Sequence, residues 1–331
     1  MNKNITQSKG HFMTALSRLF RKKIAVVCIA ILIIIYFSGI FAFLIAPYEY
    51  TAQDYSNIKK PPSIEHWMGT DRAGRDVFSR VLWGVQNTVI ITFVAILTGS
   101  IFIGVGLGLI SGYRGGRVDS LIMRIGEISS SFPDILLVII LAATLRPRIL
   151  GFIRYLEDAY NINGLVKTGI VDYLVISLAL VSFGWIGTAR LMRAQVLSIK
   201  QNQYIDSAKS IGASTSRILF LHLMPNAISP LVVSITMGMG ALIGTEIILS
   251  WLGLGVQPPR PSLGRMLLEG GSISVLREEP WLLIGPGIVV FLLIICWNLL
   301  GDSLSDVLNP FLITRNNTGY FCSALVDMVS V

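Results

Sequence analysis

Six apolar runs dominate the chain, at residues 24–46, 88–111, 125–145, 173–188, 231–249 and 281–300. Most approach the roughly 20 residues a helix needs to cross the hydrocarbon core of a bilayer. Inside lipid every backbone amide needs a partner within the protein, so runs of this length are read as helices. The fold class expected is an all-α polytopic membrane protein with six transmembrane helices. Of 331 residues, 53% are hydrophobic and 14% charged, against about 45–50% and about 25% in soluble proteins. The formal charge of +8 does not call for a nucleic-acid partner, because Lys and Arg beside apolar spans are expected on the cytoplasmic side. Cys28, Cys296 and Cys322, with His11, His66 and His222, show no metal-ligand spacing and no disulfide framework.

Lys3, Lys9, Arg18, Arg21, Lys22 and Lys23 precede the first run and place the N-terminus in the cytoplasm. Pro47-Tyr48-Glu49-Tyr50 after it offers no small-residue cleavage site, so the run is read as an uncleaved span. Residues 47–87 are then external. Within the second run, Ser100, Gly104, Gly108 and Gly112 form a row of small residues four apart, which predicts close helix packing. The third run opens with Glu127, Ser129, Ser130, Ser131, Pro133 and Asp134. Polar groups at membrane depth face a cavity or a neighbouring helix, so Asp134 either lines a translocation path or pairs locally at the interface. Residues 146–172 read as an external loop. Glu246, near the far end of the fifth run, either gates a path or anchors the turn that follows it. Gly301-Asp302 returns the chain to the cytoplasm, and residues 302–331 form a tail without a legible pattern.

Between the fourth and fifth runs lies a polar stretch, residues 193–230. Two short helical patterns flank Gly212: Ile205, Ala208 and Gly212 share one face, as do Ile218, Leu221 and His222. Gly212 can end the first helix, Ser214 can cap the second, and Pro225 is expected to stop the pair. The stretch reads as a helix–turn–helix whose small-residue notch admits another protein's backbone; the alternative is a solvated loop. Its basic residues, Arg190, Arg193, Lys200, Lys209 and Arg217 against the lone acid Asp206, agree with a cytoplasmic position.

This stretch resembles the cytoplasmic "EAA" loop of ATP-binding-cassette importer permeases, which reads Glu-Ala-Ala, three residues, Gly, nine residues, Ile, one residue, Leu-Pro. Asp206-Ser207-Ala208, Gly212 and Met224-Pro225 stand at those positions, with His222 in place of the Ile. Two further segments are similar to the C-type subunit of dipeptide, oligopeptide and nickel importers. One is Gly69-Thr70-Asp71-Arg72-Ala73-Gly74-Arg75-Asp76; the other runs from Glu246 through Ser250-Trp251-Leu252-Gly253-Leu254-Gly255 to Pro259, with Trp251 where that subunit has Phe. The alternating charges and glycines of the first segment suggest a turn clamped by ion pairs of Asp71 or Asp76 with an Arg, which serves geometry rather than substrate.

The resemblance implies a type I importer permease fold with both termini cytoplasmic, in a bacterial inner membrane. It divides the chain into 1–87, an N-terminal region with the first span and the external segment; 88–301, the transmembrane domain with its coupling loop at 193–230; and the tail, 302–331. It also implies a second, B-type permease subunit, two ATPase subunits and an external solute-binding protein as partners. Asp206, Ser207, Ala208, Gly212, His222 and Pro225 would meet the ATPase. The sequence has no phosphate loop and no catalytic triad or zinc spacing, so the chain is expected to be a non-catalytic subunit without its own cofactor, ATP and Mg²⁺ being bound by the ATPase partners. A transporter or channel driven by an ion gradient is the alternative; it needs ionisable groups gathered at mid-membrane, for which only Asp134 and Glu246 qualify.

Overall fold

In the computed structural model, which describes residues 17–308 except 163 and 167, six helices are long and apolar enough to cross a membrane. They are α1 (Lys23–Ile40), α2 (Val77–Arg114), α4 (Asp134–Tyr160), α5 (Ile170–Ile199), α7 (Thr215–Trp251) and α10 (Trp281–Leu308). Shorter helices lie between them, among them α3 (Gly116–Ser130), α6 (Gln203–Ser210), α8 (Leu263–Gly270) and α9 (Ile273–Glu278), besides single turns at Ala42–Ile45 and Tyr55–Asn57. Among the described residues there is no strand, only a single bridge between Thr70 and Asp76. Lys3, Lys9 and residues 309–331 of the tail lie outside the described residues.

The six predicted spans are present, but their ends differ. The second starts at Val77, not 88, because the Asp76 carboxylate accepts the Ser79 N–H at 2.7 Å and caps a helix. Residues 125–130 belong to α3, and the spanning helix begins only after Pro133. That proline forbids continuation and supplies the fixed φ that opens α4. The expected external loop at 146–172 is also corrected. Helix α4 runs on to Tyr160, carrying Arg146, Arg148 and Arg154 past the apolar segment. Gly169, with φ +78°, then turns the chain into α5. Helix α5 extends through Arg193 to Ile199, and α10 extends through Gly301-Asp302 to Leu308.

The small-residue row packs as its spacing predicts. A Cβ on Gly104 would lie 2.8 Å from Thr188, on Gly108 2.6 Å from Met192, and on Gly112 2.8 Å from Val196, so α2 and α5 touch nearly backbone to backbone. Residues 96–105 of α2 are wound as a π-helix. One core joins α1, the start of α2, α7, α8 and α10 around Val81, Ile243, Leu263 and Leu293; a second joins α2, α4 and α5 around Ile91, Val138, Val175 and Ile176. Lys22, ahead of α1, pairs with Asp306 near the end of α10 at 2.7 Å. Those two ends therefore lie on the same face of the bundle.

Candidate functional site: the α6–α7 knob and the clamp at the opposite end

At one end of the bundle the chain leaves α5, forms α6, turns at Gly212 and enters α7. The Gly212 N–H donates to the Lys209 carbonyl at 2.9 Å and the Ala213 N–H to the Ala208 carbonyl at 3.0 Å. This is a Schellman closure, and the φ of +80° at Gly212 is the left-handed value it requires. A Cβ at Gly212 would meet no atom within 4 Å, so the glycine is there for backbone conformation and not for crowding within the chain. The Ser214 hydroxyl accepts the Arg217 N–H at 3.4 Å.

The second half of the knob departs from the expected pattern. Ile218–Leu223 form a π-turn, whose i→i+5 bonding aligns Ile218 with Leu223. Those two are buried while Leu221 is 58% exposed, so Leu221 does not share the face of Ile218 that a 3.6-residue period predicts. Pro225 does not stop the helix. It lies within the first two residues of Met224–Trp251, directly after the π-turn, where a missing N–H is tolerated. The knob therefore continues without a break into a membrane span.

The knob is fastened from beneath. Ile205, Ile218, Leu223 and Ala227 pack on Met192 and Val196 of α5 and Leu109 of α2, all buried. Lys200 reaches the Tyr113 carbonyl at 2.6 Å. Of the predicted contact residues, Ala208 is buried, His222 is half-buried, and Asp206, Ser207, Gly212 and Pro225 are exposed. Asp206 pairs only locally, with Lys209 at 2.9 Å. Around them Ile211 (86%), Phe220 (63%) and Tyr204 (43%) face outward. These apolar side chains were not singled out from sequence, since only the folded turn shows that they are left uncovered.

At the opposite end, Gly69-Thr70-Asp71 through Asp76 form a tight clamp. The Asp71 carboxylate accepts the Arg75 Nε at 2.7 Å, the Ala73 N–H at 2.8 Å, the Arg75 N–H at 2.9 Å and the Arg80 guanidinium. Asp76, besides capping α2, lies 3.0 Å from the His66 Nδ1. The Trp281 Nε1 donates to the Thr70 carbonyl at 3.2 Å, tying the clamp to the start of α10. Gly69 and Gly74 take φ of +73° and +70°, and a Cβ on Gly74 would lie 2.1 Å from the Asp54 carbonyl oxygen. Asp54 itself is held below its usual carboxylate range, first by the Ser56 hydroxyl and amide and then by Asn57.

Glu246 and Asp134, two acids of the candidate spans, sit in different surroundings. Glu246 is buried on α7 and accepts the hydroxyls of Thr88 at 2.9 Å and Ser250 at 2.8 Å. Asp134 is exposed in the first turn of α4. Between α2, α5 and α7 lies a groove of about 180 Å³ where Ser100, Thr188 and Ser234 meet Ile96, Ile235 and Leu242, floored by Gly184, Gly187 and Gly238. No atom lies within 4 Å of where a Cβ on Gly184, Gly187 or Gly238 would be.

The family described as the inner membrane component of binding-protein-dependent transport systems matches residues 104–314. The N-terminal transmembrane domain of oligopeptide transport permease C matches residues 12–62. The dipeptide transport system permease protein DppC of Alkalihalophilus pseudofirmus is 36% identical over 296 residues, 89% of this chain and 88% of that protein. The oligopeptide transport system permease protein OppC of Bacillus subtilis has the same identity and the same coverage. The glutathione transport system permease protein GsiD of Escherichia coli is 38% identical over 294 residues, 88% of each chain.

Proposed function

Because this chain belongs to the family of inner membrane components of binding-protein-dependent transport systems, and is thus a permease subunit of an ATP-binding-cassette importer, we propose that it passes peptides or closely related small solutes across the membrane in response to ATP hydrolysed by its partners. The family relationship supports the importer permease and not the ion-gradient alternative. Peptide solutes are favoured because the relatives are named for dipeptides, oligopeptides and glutathione, a peptide as well. The assembly implied is a second, B-type permease subunit, two ATPase subunits that bind ATP and Mg²⁺, and an external solute-binding protein.

One observation carries the coupling role: the knob leaves Tyr204, Ile211 and Phe220 exposed among polar residues on its outer side, while its inner side is cored onto α2 and α5 and its chain is continuous with α7. A push on Ile211, Phe220 and Asp206 is transmitted to three spanning helices, because packed interiors shift as units and do not deform freely. The groove beside Gly184, Gly187 and Gly238, together with the exposed Asp134, is our candidate for this subunit's share of the path. Energetic coupling requires that ATPase and solute each favour the same rearrangement.

The test is to purify the chain with its permease partner, ATPases and binding protein, and to measure solute-stimulated ATP hydrolysis. Phe220→Asp, which changes an exposed side chain, is expected to abolish the stimulation. Unaltered stimulation, or uphill solute uptake by this chain alone in liposomes without nucleotide, would overturn the reading.

A further inference from the structure

At the end of the bundle away from the knob, a cavity of about 320 Å³ opens between α4, the start of α5 and the segment that follows α7. Its charged lining is three arginines, Arg146, Arg154 and Arg260, against one carboxylate, Asp172. Asp172 is already committed: it accepts Arg146 at 2.5 Å and the Gln257 N–H at 2.9 Å. The neighbouring Glu157 carboxylate is taken up by the amides of Gly164 and Val166, at 3.0 and 3.1 Å. Arg154 and Arg260 are thus left without an acidic partner among the described residues.

Arg260 is held in place nonetheless. It donates through Nη1 to the Tyr173 hydroxyl at 2.6 Å. Tyr173 donates in turn to Asn87, whose amide donates to the Pro261 carbonyl at 2.7 Å. Its stem lies on Gly169, where a Cβ would be 2.8 Å from the Arg260 Cδ and 3.0 Å from its Nε. The Nε itself is buried without a hydrogen-bond partner. A fixed guanidinium with an unspent donor, beside a second unpaired one, is the arrangement that receives a planar oxyanion through paired N–H groups. A neighbouring cavity at the same end, bounded by Arg72, Arg75 and Arg80, lacks this character, because Asp71 and Glu269 lie against Arg75 and Arg80 and Glu279 against Arg72.

We propose that the cavity between Arg154 and Arg260 is a carboxylate-binding site. Its ligand is either the C-terminal carboxylate of an arriving solute or an Asp or Glu side chain presented by the external binding protein. The site is read from this chain's own side chains; only the choice of a peptide as the solute rests on the function proposed above.

The experiment uses the assembled transporter in nanodiscs. Phenylglyoxal modification of Arg154 and Arg260 is followed by mass spectrometry, alone and with N-acetylalanine, tri-alanine, tri-alanine amide or the binding protein. Protection by N-acetylalanine and tri-alanine, with severalfold slower labelling, and none by the amide, supports a site for a solute carboxylate. Protection by the binding protein alone supports the side-chain source. Labelling unchanged in every arm, or equal protection by tri-alanine and its amide, overturns the site. Arg260→Gln should abolish the protection of Arg154, and Arg154→Gln, a surface change, should weaken that of Arg260. Peptide-stimulated ATP hydrolysis is recorded in the same preparation. If it persists while labelling is unprotected, the site alone fails; if it is absent while N-acetylalanine still protects, the peptide assignment fails and the site stands.

Discussion

Arg193 on α5 grips Asp119 on α3 with two arms of its guanidinium, Nε at 2.5 Å and Nη2 at 2.6 Å. The pair joins an amphipathic helix with only Gly126 buried to the end of the span that leads into the knob. Ser111 of α2 donates to the same carboxylate, so three elements converge on one acid.

The Arg193 donors, followed by Ser111, hold the Asp119 carboxyl below its usual range. A carboxyl depressed in the fold adds stability above its unfolded value of about 3.9, and that stability is lost as pH falls through the lower, folded value. The joint is therefore expected to be insensitive to pH between about 5 and 8 and to weaken only below about 4. Thermal unfolding of the wild type and Asp119→Asn should converge as pH is lowered into that range. A wild-type advantage that grows on acidification would contradict the assignment.

In the clamp at the end away from the knob, Gly74→Ala meets two obstacles: a positive φ and a Cβ placed 2.1 Å from the Asp54 carbonyl oxygen. Strain of this kind costs on the order of 1–3 kcal/mol. Gly116→Ala is the control, since Gly116 also has a positive φ, +55°, but nothing within 4 Å. Gly74→Ala should lower the melting temperature by clearly more than Gly116→Ala does, and equal shifts would mean the clamp yields freely.

Hydropathy marks the slab of lipid and not the helix, which explains where the sequence could be read and where it could not. The apolar centres of all six spans were legible. The ends at Val77, Tyr160 and Ile199 were not, because a helix that leaves lipid can keep its hydrogen bonds while its side chains turn polar. Gly212 was legible because few residues other than glycine accept its backbone angle. The outward position of Leu221 was hidden by a π-turn that no residue pattern announces, and Arg260 gains its meaning only from Gly169, Tyr173 and Asn87, distant in the chain and adjacent in space.

Glu246 separates an anchoring role from a path-lining one. Its carboxylate accepts the Thr88 and Ser250 hydroxyls within a closed, buried contact between α2 and α7. Glu246→Gln keeps an acceptor and the volume, and a modest loss of stability is expected. Glu246→Ala leaves both hydroxyls without that partner and should cost about 1–3 kcal/mol or more. Denaturation of the purified chain checks the order. A large change in solute KM with unchanged stability in Glu246→Gln would instead put the side chain in contact with solute.

The knob offers the sharpest separation, because its two faces make opposite predictions. Ile205 is fully buried among Met192, Val196 and Leu109, so Ile205→Ala should remove about 2–5 kcal/mol of packing. Much of that loss is local, loosening the seat while leaving the outer surface intact. Such a variant should still bind the ATPase subunits yet fail to pass their motion to the spans: basal hydrolysis retained, solute stimulation reduced. Ile211 is the reverse case, 86% exposed and touching no core. Ile211→Asp should leave the unfolding free energy unchanged within about 0.5 kcal/mol, while weakening co-purification with the ATPases. Measuring unfolding, co-purification and stimulated hydrolysis on the two variants side by side distinguishes a seated lever from a passive loop. A passive loop predicts that Ile211→Asp changes none of the three.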